Sequence, residues 1–190
     1  MNSNEILTIF KRSHALLEGH FQLTSGLHSP QYFQCAKVLQ YPQYAETLCG
    51  EIVRHFVRGR VGSVVAPALG GIVVGQEVGR QLNVRTMFTE RKDGAMQLRR
   101  GFEVKSGESV LVCEDVITTG GSVKEVIEIV KQYGGEVAGV GAIVDRSGGK
   151  SELNNLFATI TMDVIAYPPN ECPLCSEGIV LEKPGSRITR

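Results

Sequence analysis

The sequence is best narrowed first by what it lacks. Lys plus Arg and Asp plus Glu both number 20 in 190 residues, so the formal net charge is zero. No bulk charge draws such a chain to nucleic acid or to an anionic membrane. No apolar run reaches the length that a bilayer span requires. The opening MNSNEILTIFKRSHALLEGH carries Glu5, Lys11 and Arg12 across its short apolar runs, which argues against a secretory leader. The cysteines number five, an odd count scattered at Cys35, Cys49, Cys113, Cys172 and Cys175. That is a poor disulfide framework and fits a reducing, cytoplasmic setting. Repeats, low-complexity tracts and shifts of composition are also missing. One domain is therefore expected over residues 1–190, long enough to bury a sizeable core.

What is present is an alternation of two periods. Ile6, Phe10 and Leu17 fall near one face and predict a first helix that Gly19 would stop. Pro42 suits the first turn of a second helix, with Ala45, Leu48, Ile52 and Phe56 as its buried face. Strands are then predicted over 61–67, 84–90, 109–115 and 136–145, with helical runs after the first and the third. Strands alternating with helices imply a parallel sheet covered on both faces, an α/β fold. Ligands of such sheets bind beyond the carboxyl ends of the strands. Those ends read APALGG, ERKDGAMQLRRG, EDVITTGGS and DRSGG, all polar or glycine-rich, and they should meet at one crevice.

The third of them, within VLVCEDVITTGGS (110–122), carries the most chemistry. Gly120 and Gly121 permit a tight turn. The N–H groups of residues 118–122, with the hydroxyls of Thr118, Thr119 and Ser122, can wrap one phosphate at the positive end of a helix. An ordinary strand–helix turn with Ser122 as N-cap would look similar. The preceding Glu114-Asp115 separates the two readings. The loop lacks the lysine of a P-loop, and its acids precede the glycines instead of following them by ~20 residues as in the dinucleotide fingerprint. Carboxylates accept hydrogen bonds from vicinal hydroxyls, so a phosphate loop beside an acid pair suits a ribose 5-phosphate unit.

An apolar strand, two acids, two further residues and T-T-G-G-S resembles the signature of the type I phosphoribosyltransferases, which use phosphoribosyl pyrophosphate (PRPP). The rest of the chain resembles the orotate phosphoribosyltransferase family within that group. GHFQLTSGLHSPQYF (19–33) is similar to its N-terminal hood, with the aromatic pair Tyr32-Phe33. APALGGIVVG (66–75) resembles its pyrophosphate loop and IVDRSGG (143–149) its base-contacting loop. The resemblance implies a parallel five-stranded core flanked by helices, under a small hood built mainly by residues 1–40 with help from the C-terminal tail. It implies Mg²⁺ held mainly through PRPP, inversion at the anomeric carbon, and a homodimer with no nucleic-acid or membrane partner. It also implies that PRPP binds along Glu114, Asp115, Val116, Ile117, Thr118, Thr119, Gly120, Gly121 and Ser122. Orotate would meet Thr118 and Arg146, whose guanidinium suits a carboxylate; a mere surface ion pair with Asp145 is the plainer alternative.

The segment 90–102 gathers Arg91, Lys92, Arg99 and Arg100 around a glycine. It reads either as a solvated hairpin or as a mobile lid whose cations neutralise leaving pyrophosphate. By resemblance, Arg91 and Lys92 match the family's catalytic Arg-Lys pair, and the segment completes the neighbouring subunit's site. The chain departs from the family at Gly70 and Thr24, where lysines are common, and in the lid's missing lysine–histidine ending; Arg99 or Arg100 could substitute. Cys172-x-x-Cys175 is half of a structural metal site. A symmetric dimer could complete it, the pair could be redox-active, or the segment could be a knuckle-like turn without catalytic duty, which is the reading preferred here. The histidines at 14, 20, 28 and 55 show no ligand spacing and read as surface or hood residues. A transferase for another base, or a non-catalytic PRPP-sensing regulator, would share the acid pair and loop.

Overall fold

The computed structural model describes residues 1–23, 25–163 and 165–184. Its elements run α1 (Ser3–Arg12), β1 (Leu16–Gln22), β2 (His28–Phe33), α2 (Cys35–Leu39), α3 (Pro42–Phe56), β3 (Ser63–Pro67), α4 (Gly70–Leu82) and β4 (Arg85–Lys92). Then follow β5 (Ala95–Leu98), β6 (Ser109–Ile117), α5 (Gly121–Gln132), β7 (Glu136–Asp145), β8 (Leu156–Thr161) and α6 (Pro173–Ser176).

Strands β4, β3, β6, β7 and β8 pair in parallel, and β5 adds an antiparallel edge beside β4. The five parallel strands match the expected core; the sixth arises because residues 90–102 fold back as a hairpin. Side chains alternate across the sheet. Val64, Ala66, Leu111, Cys113 and Ile143 join the helix-covered core formed with α3 and α4. Val65, Val110, Val112, Val140 and Ala142 face the other side, where Val123, Val126 and Val130 of α5 cover them. Burial on both faces explains why β6 begins as an unbroken apolar run.

The first helix is shorter than its apolar spacing predicts. A capping box starts it, with Asn2 Oδ1 accepting from the Glu5 amide at 3.0 Å and Glu5 Oε2 accepting from the Asn2 amide at 2.9 Å, worth ~1 kcal/mol. It ends at Arg12, where the Ser13 hydroxyl donates back to the Ile9 carbonyl and His14 turns to φ 52°. Leu17 and Gly19 therefore belong to β1. β1 and β2 form their own two-stranded sheet, and the C-terminal tail lies along it: the Gln22 amide donates to the Glu182 carbonyl and the His28 amide to the Tyr167 carbonyl.

Candidate active site

Where β6 leaves the core it carries Glu114, which is buried, and then Asp115. Glu114 Oε1 accepts from the Asp115 amide at 3.0 Å, and Asp115 Oδ1 accepts from the Val116 amide at 2.9 Å. The backbone at the start of α4 presses against both carboxyls. A Cβ on Gly70 would overlap Asp115 Oδ2, and one on Gly71 would lie 2.9 Å from Glu114 Oε1. The glycine that stands where a lysine is common thus has a steric reason: a side chain there would displace the Asp115 carboxylate. Thr24, the other such position, lies outside the described residues.

Burial, first, and the neighbouring Asp115 charge, second, push the Glu114 carboxyl up to about 9. At neutral pH this side chain is protonated. One of the two adjacent carboxyls therefore carries no charge to repel an anion bound at the neighbouring loop.

The loop after β6 ends in Gly120 at φ 74°, which N-caps α5, and no side chain caps the helix. Ser122 is therefore inside the first turn and is not the N-cap. The first N–H groups of an α-helix have no intrahelical acceptor, and here they open toward a cavity of about 730 Å³. Thr118, Thr119, Gly120, Gly121 and Ser122 line it, together with Glu114, Val116 and Ile117. Asp115, expected beside them, is not part of this lining; its carboxylate sits against Gly70.

Arg146 enters the same cavity from the end of β7. Its amide donates to the Ile117 carbonyl at 2.8 Å, which ties the base-contacting loop to the phosphate loop. Its Nε is buried without a hydrogen-bond partner, and no ion pair engages the guanidinium among the described residues. The surface-pair alternative does not hold: Asp145 is buried and accepts from the Ser147 amide at 2.8 Å. Burial lowers the Arg146 pKa from its ordinary value. An unpaired, partly desolvated guanidinium facing a cavity is a waiting anion site.

The hood closes the cavity with Leu23, Ser25 and Tyr32, and the tail adds Ala166. Burial raises the Tyr32 phenol pKa; the Arg146 charge opposes the rise and Asp115 adds to it. Sequence reasoning noted Tyr32 within the hood but missed Glu125 and Ala166. Glu125 stands three residues after Ser122 on α5 and so shares its face; nothing local marks Ala166.

Residues 90–102 form the β4–β5 hairpin, turning at Asp93 and Gly94, both with positive φ. Arg91 lines the cavity of its own chain and donates to Glu125 Oε1 at 2.6 Å. Lys92 is exposed outside the cavity lining. Arg99 and Arg100 both pair with Glu90, at 3.1 and 3.0 Å, and Arg100 also lies over the Phe88 ring. Both are turned away from the role of substitute cation.

Two of the histidines expected at the surface or in the hood meet the C-x-x-C turn. His20 and His28 are buried, and their ring nitrogens face Cys172 and Cys175. His20 and His28, 147 to 155 positions before the thiols they face, could complete the C-x-x-C half-site. The sequence suggests a following motif or a symmetric dimer as the source of that half.

Comparison with known proteins places these features in context. Residues 40–169 match the family model described as phosphoribosyl transferase domain. The chain is 58% identical over 188 residues to orotate phosphoribosyltransferase of Chlorobaculum parvum, covering 98% of this chain and 97% of that one. It is 55% identical to the enzyme of the same name from Caldicellulosiruptor bescii, over 98% and 99% of the two chains. A crystal structure of orotate phosphoribosyltransferase from Aeropyrum pernix superposes with a TM-score of 0.73 at 22% identity, covering 83% of this chain and 93% of that one. That likeness speaks to the fold alone.

Proposed function

The chain belongs to the phosphoribosyltransferase family, and from that premise we infer that it transfers the phosphoribosyl group of PRPP to orotate, giving orotidine 5′-monophosphate and pyrophosphate. The observation that carries the choice of base is Arg146, an unpaired guanidinium in the same cavity as the phosphate loop. Orotate carries a carboxylate; adenine, guanine, hypoxanthine and uracil do not.

The roles follow from position. The N–H groups and hydroxyls of residues 118–122 hold the 5-phosphate at the start of α5, which fixes the sugar without a dedicated cation. Glu114, which lines the cavity, meets the ribose hydroxyls, and its protonated form donates as well as accepts; Asp115, expected to share that role near the positive charge that develops on the sugar as the C1–O bond breaks, must turn its carboxylate from Gly70 to reach it. Arg146 takes the orotate carboxylate, with Thr118 beside it, and so aims the ring nitrogen at C1. Val116 and Ile117 give this space apolar walls, and the hood adds Leu23, Ser25 and Tyr32 to its lining. Arg91, which lines the same cavity, would meet the departing pyrophosphate.

The donors at the acid pair are oxygens only, as Mg²⁺ prefers, and Mg²⁺ usually binds through one or two carboxylates plus substrate phosphates. PRPP itself would mainly hold it, beside the acid pair. When bound, it offsets charge on the leaving pyrophosphate. We further read the protein as a cytoplasmic homodimer with a single catalytic domain, hooded by residues 1–40 and the tail. Since Arg91 already serves its own cavity, the hairpin's contribution to the neighbouring site falls to Lys92.

The test is direct. Purified protein with PRPP and Mg²⁺ should consume orotate, followed by its absorbance, and leave uracil, adenine, guanine and hypoxanthine untouched. Consumption of another base would reassign the substrate. Binding of PRPP with no base consumed would make the protein a regulator.

A further inference from the structure

We propose that His20, His28, Cys172 and Cys175 form a structural zinc site that staples the C-terminal tail to the hood. The four ligand atoms lie within 4.8 Å of one another. His20 Nε2 is 3.0 Å from His28 Nδ1, 3.5 Å from Cys172 Sγ and 3.7 Å from Cys175 Sγ, and Cys175 Sγ is 3.3 Å from His28 Nδ1. A tetrahedral zinc with ~2.0 Å bonds to nitrogen and ~2.3 Å bonds to sulfur sets its ligand atoms ~3.3 to 3.8 Å apart. The observed spacings are close to the edges of that tetrahedron.

The surroundings fix the ligands in the form a metal needs. His20 Nδ1 is 2.8 Å from the Ile179 carbonyl. A carbonyl only accepts, so Nδ1 carries the proton and Nε2 presents its lone pair to the cluster, as the outer hydrogen bond of a ligating histidine does. Three groups converge on that one lone pair, more than it can serve by hydrogen bonding. An irregularity in the β1–β2 register between Glu18 and Phe21 contains His20, and His20 and Phe21 are both buried in succession, against simple strand alternation. Such a bulge re-aims a side chain. On the other side, Cys172 leads into α6, and the Ser176 amide bonds back to the Cys172 carbonyl, making a short knuckle.

Main-chain hydrogen bonds tie the tail to β1 and β2, but little apolar burial does. Neither α6 nor the 3₁₀ turn Pro169–Glu171 buries a residue of its own, and Ile165, Ile179, Val180 and Leu181 are exposed. A segment without a core is where a metal clip contributes most. Binding sends the two thiol protons to solvent, and two thiolates with two neutral imidazoles leave a Zn²⁺ centre with no net charge, which suits a largely buried site. The clip would anchor the hairpin whose tip, Leu23 and Ser25, walls the cavity, and the segment that carries Ala166. It takes no part in the transfer chemistry and stands or falls apart from it.

Protein purified without chelator should hold about one zinc per chain by elemental mass spectrometry. His28→Ala and Cys175→Ser should each lower that content at least tenfold. Should either variant fail to fold, cobalt titration of chelator-treated wild-type protein decides alone. One equivalent of Co²⁺ should give the strong visible bands of a tetrahedral ion and a thiolate-to-cobalt band in the ultraviolet, both erased by Zn²⁺. Wild-type protein without zinc that also gives no such cobalt spectrum would overturn the proposal. So would a Cys172–Cys175 disulfide found by mass in freshly purified protein.

Discussion

Arg146 and Glu114 are the two residues whose surroundings most depart from those of ordinary surface charges, and each gives a test. If Arg146 pairs with the orotate carboxylate, Arg146→Ala removes charge-assisted hydrogen bonds, and KM for orotate should rise about 10- to 100-fold. KM for PRPP should change little, because the phosphate loop is untouched; equal effects on both substrates would reduce Arg146 to a wall of the site. Glu114 gives a pH dependence. Its folded pKa is raised to about 9, so between the ordinary glutamate range and about pH 9 the folded chain binds more protons than the unfolded one. Stability then falls as pH rises through that window. Glu114→Gln mimics the protonated form and removes this slope. Its melting temperature, taken relative to wild type, should be higher at pH 8.5 than at pH 5, each kcal/mol of relieved penalty being worth ~2–4 °C at this size. An offset between variant and wild type that is the same at both pH values would refute the burial argument.

Among the elements, the strand–loop–helix unit β6–α5 was the most legible in sequence, because apolar run, acids and glycines follow one another without interruption. The limits of β7 and the Pro42 start of α3 were equally plain. Two kinds of feature were not. α1 ends early through a local back-bond and a positive φ at His14, a turn with no glycine to announce it. The cluster of His20, His28, Cys172 and Cys175 joins residues at opposite ends of the chain, and sequence spacing carries no signal for contacts made only by the tail's path along β1 and β2. Gly120 tests the element itself. It holds φ 74°, and an added Cβ would meet Leu153 Cδ1 at 3.1 Å. Gly120→Ala should destabilise the fold by ~1–2 kcal/mol for the left-handed conformation alone, and should also weaken PRPP by turning the N–H groups of α5 away from the phosphate. Calorimetry of PRPP binding on the folded variant separates the two effects, and unchanged affinity would mean that the helix end does not hold the phosphate.

At the scale of the whole molecule, the open question is which site the β4–β5 hairpin serves. Its two leading cations divide: Arg91 turns into its own chain's cavity and pairs with Glu125, whereas Lys92 is exposed at the hairpin's tip. A two-fold dimer places identical patches against each other, so a tip that reaches one neighbour is reached by the same neighbour in return. Lys92→Ala and Asp115→Asn should each abolish most turnover, the first through leaving-group charge and the second through the sugar. If Lys92 acts across the interface, a hybrid dimer has one site carrying both lesions and one carrying neither. Equal mixing with free exchange makes about half of the dimers hybrids, so the mixture should recover about a quarter of wild-type activity. Were Lys92 to act within its own chain, each site of the hybrid would keep one lesion and mixing would recover nothing. Native mass spectrometry of the same mixture resolves hybrid from parent dimers, because Lys92→Ala lightens its chain, so activity that stays lost in a dimer shown to have exchanged subunits would assign the whole hairpin, Arg91 and Lys92 alike, to the chain that carries it.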